Sequence, residues 1–443
     1  VEELSQTYEL FATTMIESFY WWCIAFMLLI HAGFLSYEIG VSRVKNVLAS
    51  AMKNLMTIAV VIPTFYFFGW WIYNAFPDGL IPRMSDAALA ALPWSENMGP
   101  NVADHASGIF WGAFALFAAT TSSILSGAII ERIRLSAFVI LAIILGSVIW
   151  NLAASWGWHG EGWFLTKFGY HDVGAAGVVH AIAGFFALGV LINLGPRIGK
   201  YTKEGKPINI LPHNLPSTLL GLMLIFVGFF GFLGGCIIAV TNGEWMTIYG
   251  TPTNLSAFSF NALMGLSGGL IGSFIVTKGN PFWTASGGLA GVISVGAGLD
   301  LYHPALALII AVIGGAISPF IGNFLEKRKI DDPVGAIAVH GFIGIWSVIA
   351  VGVFASGYPN INGPEISLLG QLICAGIIIL LGFLPGYGIS FMLKKLNMLR
   401  IPKHAELLGL DLTEIPGSAY PEGIPITPER SKLKEISVEN KIG

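Results

Sequence analysis

The chain has 443 residues, of which 54% are apolar and only 11% charged, with a mean hydropathy of +0.72 and a formal net charge of -3. An ordinary soluble domain carries about 25% charged residues, so a soluble enzyme is excluded, and so small a net charge gives no reason to expect a nucleic-acid partner. Roughly eleven apolar runs of about 20 residues, each long enough for a bilayer, predict an all-α integral membrane protein with eleven transmembrane helices.

Windows of about 19 residues place the spans near 12–37, 51–75, 108–130, 137–156, 174–195, 215–240, 255–277, 283–299, 303–324, 334–355 and 367–392. The first is too long for a signal-peptide core, follows no basic segment and carries Glu17 within it and Glu38 at its end, so it reads as a retained helix. Cys23, Cys236 and Cys374 all lie within apolar segments, which argues against a disulfide framework. The segments after odd-numbered spans collect the basic residues, among them Arg43, Lys45, Arg132, Arg134, Arg197, Lys200, Lys278, Lys327, Lys394 and Arg400. Those after even-numbered spans hold only Arg83 and Lys167. Basic loops stay in the cytoplasm, so the amino terminus is expected outside and the carboxyl terminus inside.

An internal echo organises the chain. Asp172-Val-Gly-Ala-Ala-Gly-Val-Val-His180 in the fifth span is matched by Asp332-Pro-Val-Gly-Ala-Ile-Ala-Val-His340 in the tenth, with Gly184 and Gly344 four residues beyond each histidine. Five is odd, so the two halves, about 12–195 and 215–355, cross the membrane in opposite senses as a 5+5 inverted repeat, a design that puts a transport site near the midplane. The helix 367–392 follows the second half. At 1.5 Å per residue each histidine lies about 12 Å from its aspartate, so Asp172 marks the outer end, Asp332 the inner end, and both imidazoles lie near the centre. Small-residue patterns such as Gly265-Leu-Ser-Gly-Gly269 and Gly287-Gly-Leu-Ala-Gly291 suit close helix approach in lipid.

An ionisable side chain at mid-membrane is costly unless it lines a polar cavity or is paired. His180 and His340 therefore have three readings: separate histidines satisfied by backbone carbonyls, a metal pair, or two imidazoles sharing a proton beside a path for a small hydrogen-bonding solute. No Cys, Asp or Glu joins them to complete a metal site, and no cofactor is expected. Asp172 suits both a helix cap and a negative charge at the outer mouth. Phe114, Phe117, Phe229, Phe230, Phe232, Trp156, Trp158 and Trp163 supply aromatic surface to the outer half, either as an interfacial belt or as a cage that holds a small cation by cation-π attraction.

The run from Phe117 to Ala137 resembles the third-helix signature of the ammonium transporter family (Amt/Mep/Rh). So do Asp172 to His180, Gly195-Pro-Arg-Ile-Gly199, His213-Asn-Leu-Pro216 and Asp331 to Gly341, while Gly409-Leu-Asp-Leu412 with Ala419-Tyr420 resembles the family's cytoplasmic tail. The similarity covers roughly residues 10 to 421. It implies that Phe117 and Phe232 form the stacked phenylalanine gate and that His180 and His340 form the twin-histidine pore. It likewise implies that Asp172 underlies an outer ammonium-binding site formed by Phe117 and Trp158, with Trp156 as the alternative tryptophan. A homotrimer in the plasma (inner) membrane, one pore per protomer, follows from the same resemblance. Ammonium would be selected outside, lose a proton, and cross past the histidines.

The sixth span departs from the family pattern. It reads Phe229-Phe-Gly-Phe-Leu-Gly-Gly-Cys236, so Cys236, a poor acceptor, stands where a serine of the ligand-binding site is usual, and Leu233 replaces an asparagine. A transporter that tolerates the change is one expectation; an ammonium sensor or receptor on the same scaffold is the other. Residues 1–393 form the membrane domain. The region 394–443 is expected to be cytoplasmic, with its turn-rich, charged end after Tyr420 suited to a linker toward a signalling module or a contact for a regulatory protein.

Overall fold

The computed structural model describes residues 2–99, 105–239, 244–415 and 417–420. Helix α1 spans Glu2–Val41; α2 spans Val47–Thr64 and continues through a π-helical turn, Phe65–Gly69, into Trp70–Ala75. Pro63 withdraws a backbone donor just before that turn, which accounts for the wider winding. Next come α3 (His105–Ala128) and α4 (Leu135–Ile144, extended through the π turn Leu145–Ile149 to Gly157). A π turn at Ala176–Ala181 opens α5 (Ile182–Leu194), followed by α6 (Leu215–Gly234), α7 (Leu255–Thr277), α8 (Pro281–Gly296) and α9 (Pro304–Lys327). A second π turn, Ile337–Phe342, opens α10 (Ile343–Phe354), and α11 covers Leu368–Lys395.

Asparagine or serine caps the starts of α6, α7, α8 and α11. The side chains of Asn214, Asn254, Asn280 and Ser367 accept from the backbone N–H three residues on, at 2.8 to 3.1 Å. Between α6 and α7 lies a small antiparallel sheet of β1 (Ile237–Ala239), β2 (Trp245–Thr247) and β3 (Pro252–Thr253).

Ten helices among the described residues are long and apolar enough to cross a membrane. The remaining expected span, 283–299, corresponds to α8, which at 16 residues is shorter than a full crossing and packs against α7 and α9. Its glycines explain how it fits: a Cβ on Gly265 would lie 3.1 Å from the Val292 Cα, and one on Gly291 would overlap the Gly265 and Gly269 backbones. The small-residue patterns are thus the seams of α7, α8 and α9.

The sequence echo recurs as structure. Ala175 (φ 62) and Gly335 (φ +70), at matching repeat positions, both adopt the left-handed conformation just before their π turns. Arg197, just past the end of α5, forms a two-pronged ion pair with Asp331, just before the start of the α10 segment, at 2.9 and 3.0 Å. The segment from His180 therefore ends where that of His340 begins, so the two run in opposite senses.

The region after α11 is docked. Helices α12 (Lys403–Leu408) and α13 (Leu410–Thr413) lie under the start of α2, where the Asp411 carboxylate accepts from Leu48 N–H and Ala49 N–H at 3.1 and 2.9 Å. Ala49, Ile401, Ala405 and Leu410 close a small apolar cluster there. The charged linker expected after Tyr420 lies outside the described residues.

Gly184 sits against the Gly341 backbone, with no room for a Cβ, whereas a Cβ on Gly376 would meet nothing within 4 Å. Gly184→Val should therefore destabilise the protein by ~1–3 kcal/mol through overpacking, while Gly376→Ala in α11 is neutral or stabilising by up to about 1 kcal/mol. Thermal unfolding in detergent reads the contrast, and equal shifts for both variants would refute the packing argument.

Candidate functional site

His180 and His340 face each other at the centre. Their Nδ1 atoms are 2.9 Å apart and the rings lie nearly parallel, 24° between planes, with centroids 5.1 Å apart. Both are buried, at 2% and 5% exposure. An Nδ1 to Nδ1 hydrogen bond needs one donor and one acceptor, so a single proton lies between the rings. Each imidazole's hydrogen-bond partner is the other, the contact that the shared-proton reading requires. His180 Nε2 is buried with no hydrogen-bond partner. Such a buried nitrogen is expensive and marks a place where a hydrogen-bonding guest is favoured.

The close approach is built into the backbone. Gly184 meets Gly341, and Gly344 lies so close to the opposite turn that a Cβ would come within 2.8 Å of Ala181 N. Each turn is held by its aspartate. Asp172 Oδ2 accepts from Gly177 N–H, Val178 N–H and the Tyr170 hydroxyl at 2.8, 3.0 and 3.0 Å, and Asp332 Oδ2 accepts from Ile337 N–H at 2.7 Å. Gly177 and Ile337 are equivalent in the repeat. Asp172 thus caps a helix start, buried and 0% exposed, and its second oxygen, Oδ1, has no partner. Burial raises its carboxyl pKa against the lowering effect of the Val178 and Gly177 N–H groups.

An aromatic layer covers the pair on the Asp172 side. Phe232 stacks on His180 at 5.8 Å and Phe229 lies at 5.9 Å. Phe232 touches Phe117 at 4.6 Å, edge to face with 81° between planes rather than as parallel rings. Trp158 meets Phe117 at 5.1 Å and fixes its indole by donating to Asp172 O at 2.8 Å. Phe114 closes the cluster, 5.8 Å from Phe117 and 6.0 Å from Trp158.

Other sequence candidates fall elsewhere. Trp156 and Trp163 pair with each other at 5.5 Å and Trp156 donates to Gly79 O, while Phe230 is half exposed on the outer surface of α6. Of the two tryptophans weighed, Trp158 is the one in ring contact with Phe117. Cys236 is buried, its Sγ donating to Phe232 O at 3.3 Å.

Sequence reasoning missed three contributors. Trp150 lies 6.3 Å from Phe117 and nearly parallel to it; Tyr170 donates to Asp172; Tyr249, in the turn after β2, accepts from Asp172 N–H at 2.9 Å. Tyr170 stands two residues from Asp172 and was within reach of a local reading. Tyr249 sits in a long loop with no repeat to flag it.

At the opposite end, Arg132 donates to Asp331 O at 2.5 Å, and Arg43 and Arg197 bind Glu131. Arg400 reaches Glu406 at 2.7 Å. Basic residues from the segments after α1, α3, α5 and α11 thus gather on one face.

A multi-pass helical membrane protein with a buried histidine pair beneath an aromatic cluster is the class this fold and site define. The model described as Ammonium Transporter Family matches residues 18–420. The ammonium transporter Amt2 of Archaeoglobus fulgidus is 32% identical over 425 residues, 90% of this chain and 86% of that one. Amt1 of Methanocaldococcus jannaschii is 30% identical over 409 residues, 91% of this chain and 96% of that one. A solved structure described as a sensor Amt protein superposes with a TM-score of 0.79 at 26% identity, covering 92% of this chain and 99% of that chain. The chain belongs to the ammonium transporter family, whose named members here are transporters rather than enzymes.

Asp331 offers a pH test of the face that starts the His340 segment. Burial alone would raise its carboxyl pKa, but the Arg132 and Arg197 guanidiniums outweigh burial and hold it well below the usual carboxylate range. Because the folded value lies below the unfolded one of about 3.9, this stabilisation is complete above that value and is lost as pH falls through the folded value. Asp331→Asn should cost ~3–5 kcal/mol at neutral pH by breaking the buried two-pronged pair and leaving Arg197 with Glu131 alone, and should flatten the acid limb of the stability profile. An unchanged acid limb in denaturation series would contradict the assignment.

Proposed function

We propose that this chain conducts ammonium nitrogen across a membrane. Ammonium is held outside by Trp158 and Phe117, with Asp172 supplying negative charge beneath them. It passes the Phe117–Phe232 contact, loses its proton, and crosses as ammonia past His180 and His340. The observation that carries this reading is the buried imidazole pair with its unpartnered Nε2. An ammonia molecule offers both N–H donors and a lone pair, so it satisfies a bare Nε2 on one ring and a protonated Nε2 on the other. A desolvated cation held by aromatic faces gains on the order of 0.5–2 kcal/mol per ring, which offsets part of its dehydration. Phe117 and Phe232 are in contact, so passage needs one ring to swing aside, and a gate is the role that suits them.

The same reading counts α8 as an eleventh crossing, puts the face rich in Arg43, Arg132, Arg197 and Arg400 in the cytoplasm by the positive-inside rule, and so leaves the amino terminus outside. It takes the protein to be a homotrimer in the plasma (inner) membrane. Residues 394–443 form the cytoplasmic region, available to a signalling domain or regulatory protein.

Cys236 favours a second reading, an ammonium sensor. Its sulfur is engaged with Phe232 O and is a poor acceptor, which weakens the outer site, and the similarity to a protein described as a sensor supports the alternative.

Ammonium-evoked charge movement in proteoliposomes, with direct binding measured on the same purified protein, separates the two. A sustained current that scales with the gradient is expected for a transporter, and saturable binding without sustained current supports the sensor. Cys236→Ser should tighten outer binding by ~1 kcal/mol, the contribution of one regained hydrogen bond. His340→Ala should abolish or alter conduction in a protein that remains folded; unchanged flux and ammonium specificity would refute the histidine assignment.

A further inference from the structure

Glu38 and Lys53 are fully buried in α1 and α2, and neither has a part in the site described above. Glu38 accepts from Asn54 Nδ2 at 2.8 Å and from the Ser126 hydroxyl. Lys53 Nζ makes no hydrogen bond, and its charge interacts with that of Glu38. Two desolvated charges without a direct contact are a poor way to stabilise a helix bundle, and ionisable groups at membrane depth usually serve a proton or ion path.

Glu38 also borders a cavity that reaches the histidine pair. The cavity, about 10 Å³, is lined by Tyr37, Glu38, Ser286, Val334 and His340 among others. That is room for about one water, and the lining is polar enough to hold it. The Tyr37 hydroxyl donates to Val334 O at 3.0 Å, and Ser286 Oγ, buried, completes no hydrogen bond of good geometry. Beyond Tyr37 lies Asp332, whose Oδ1 has no partner and which lines a larger cavity of about 600 Å³ with Arg197, Lys200 and Trp283. The titratable groups around Glu38 are thus Tyr37, His340 across the cavity, Asp332 toward the larger one, His31 of α1 against Ser123 of α3, and Lys53, which also feels Glu131, Arg132 and Asp411.

We propose that Glu38 is the inner proton acceptor of this protein: it takes up, through one water in this cavity, the proton relayed past His180 and His340, and returns it to ammonia at the inner end. The inference rests on the transport reading. The steps balance: ammonium releases a proton at the outer mouth, the carboxylate becomes a carboxylic acid as it receives that proton, and ammonia then takes the O–H proton to leave as ammonium with the carboxylate restored. Lys53 offsets the carboxylate charge between cycles. Each Glu38 oxygen accepts one hydrogen bond and keeps a free lone pair for this exchange.

Glu38→Gln preserves shape and can still accept from Asn54, with its amide N–H now donating to the Ser126 oxygen, and Glu38→Gln with Lys53→Met also removes the buried lysine charge. In proteoliposomes under an ammonium gradient, current and internal alkalinisation by ammonia are read together, after size-exclusion chromatography has confirmed folded protein. The proposal expects at least a tenfold loss of current in both variants with ammonia entry retained. Wild-type current in either variant overturns it, as does loss of both signals in folded protein, which would mean a blocked path rather than a lost acceptor. A wild type without any current fails the transport reading instead. Infrared difference spectra then test Glu38 alone: an ammonium-induced protonated-carboxyl band present in wild type and missing in Glu38→Gln supports the proton-exchange group. A band that is absent from wild type or unchanged in the variant overturns it.

Discussion

Two imidazoles buried at the centre of an apolar bundle must satisfy each other, and that requirement governs much of the structure around them. A 2.9 Å contact between Nδ1 atoms on different segments demands that the two backbones nearly touch. Gly184 against Gly341, and Gly344 against Ala181, provide that approach. The π-helical winding at each histidine and the aspartate that holds each turn then fix the direction in which the rings point. Ala175 accepts a left-handed backbone, costing roughly 1 kcal/mol, at the position where the other half uses Gly335.

Charge is layered around this centre. The fixed ion pairs of Arg43, Glu131, Arg197 and Asp331 lie at one end, joined to the docked helices α12 and α13 by Glu406, which accepts from Ile198 N–H at 2.6 Å. At the other end Asp172 is held by backbone N–H groups rather than by a cation. Between them the path offers aromatic faces and then neutralisable nitrogens. Under the proposed function that order matters: a cation meets polarisable rings first and reaches the imidazoles only where giving up a proton costs less than remaining charged in a desolvated site.

Much of this was legible in the sequence for definite reasons. Apolar runs of bilayer length revealed the helices, and a repeat that conserved both spacing and residue type exposed the histidine pair, its aspartates and its glycines. Small-residue spacing marked the α7–α8–α9 seams. What was not legible depended on convergence from distant segments. Phe114, Phe117, Trp158 and Phe232 form one cluster, while Trp156, Trp163 and Phe230 have equal hydrophobicity but point elsewhere, and composition cannot separate them. Tyr249 arrives from a loop, and the charges of Glu38 and Lys53 come near each other only because α1 and α2 pack. The docking of residues 400–415 was hidden because Asp411 and Glu406 look like ordinary surface acids until the free N–H groups of α2 and of Ile198 are placed beside them.

The most direct measurement of the central claim is nitrogen-15 solid-state NMR of histidine-labelled protein in bilayers. The account predicts one protonated and one bare Nδ1, coupled to each other across a hydrogen bond at neutral pH, with the Nε2 resonances moving when ammonium is added. Two protonated Nδ1 atoms, or two uncoupled ones that ignore ammonium, would contradict it.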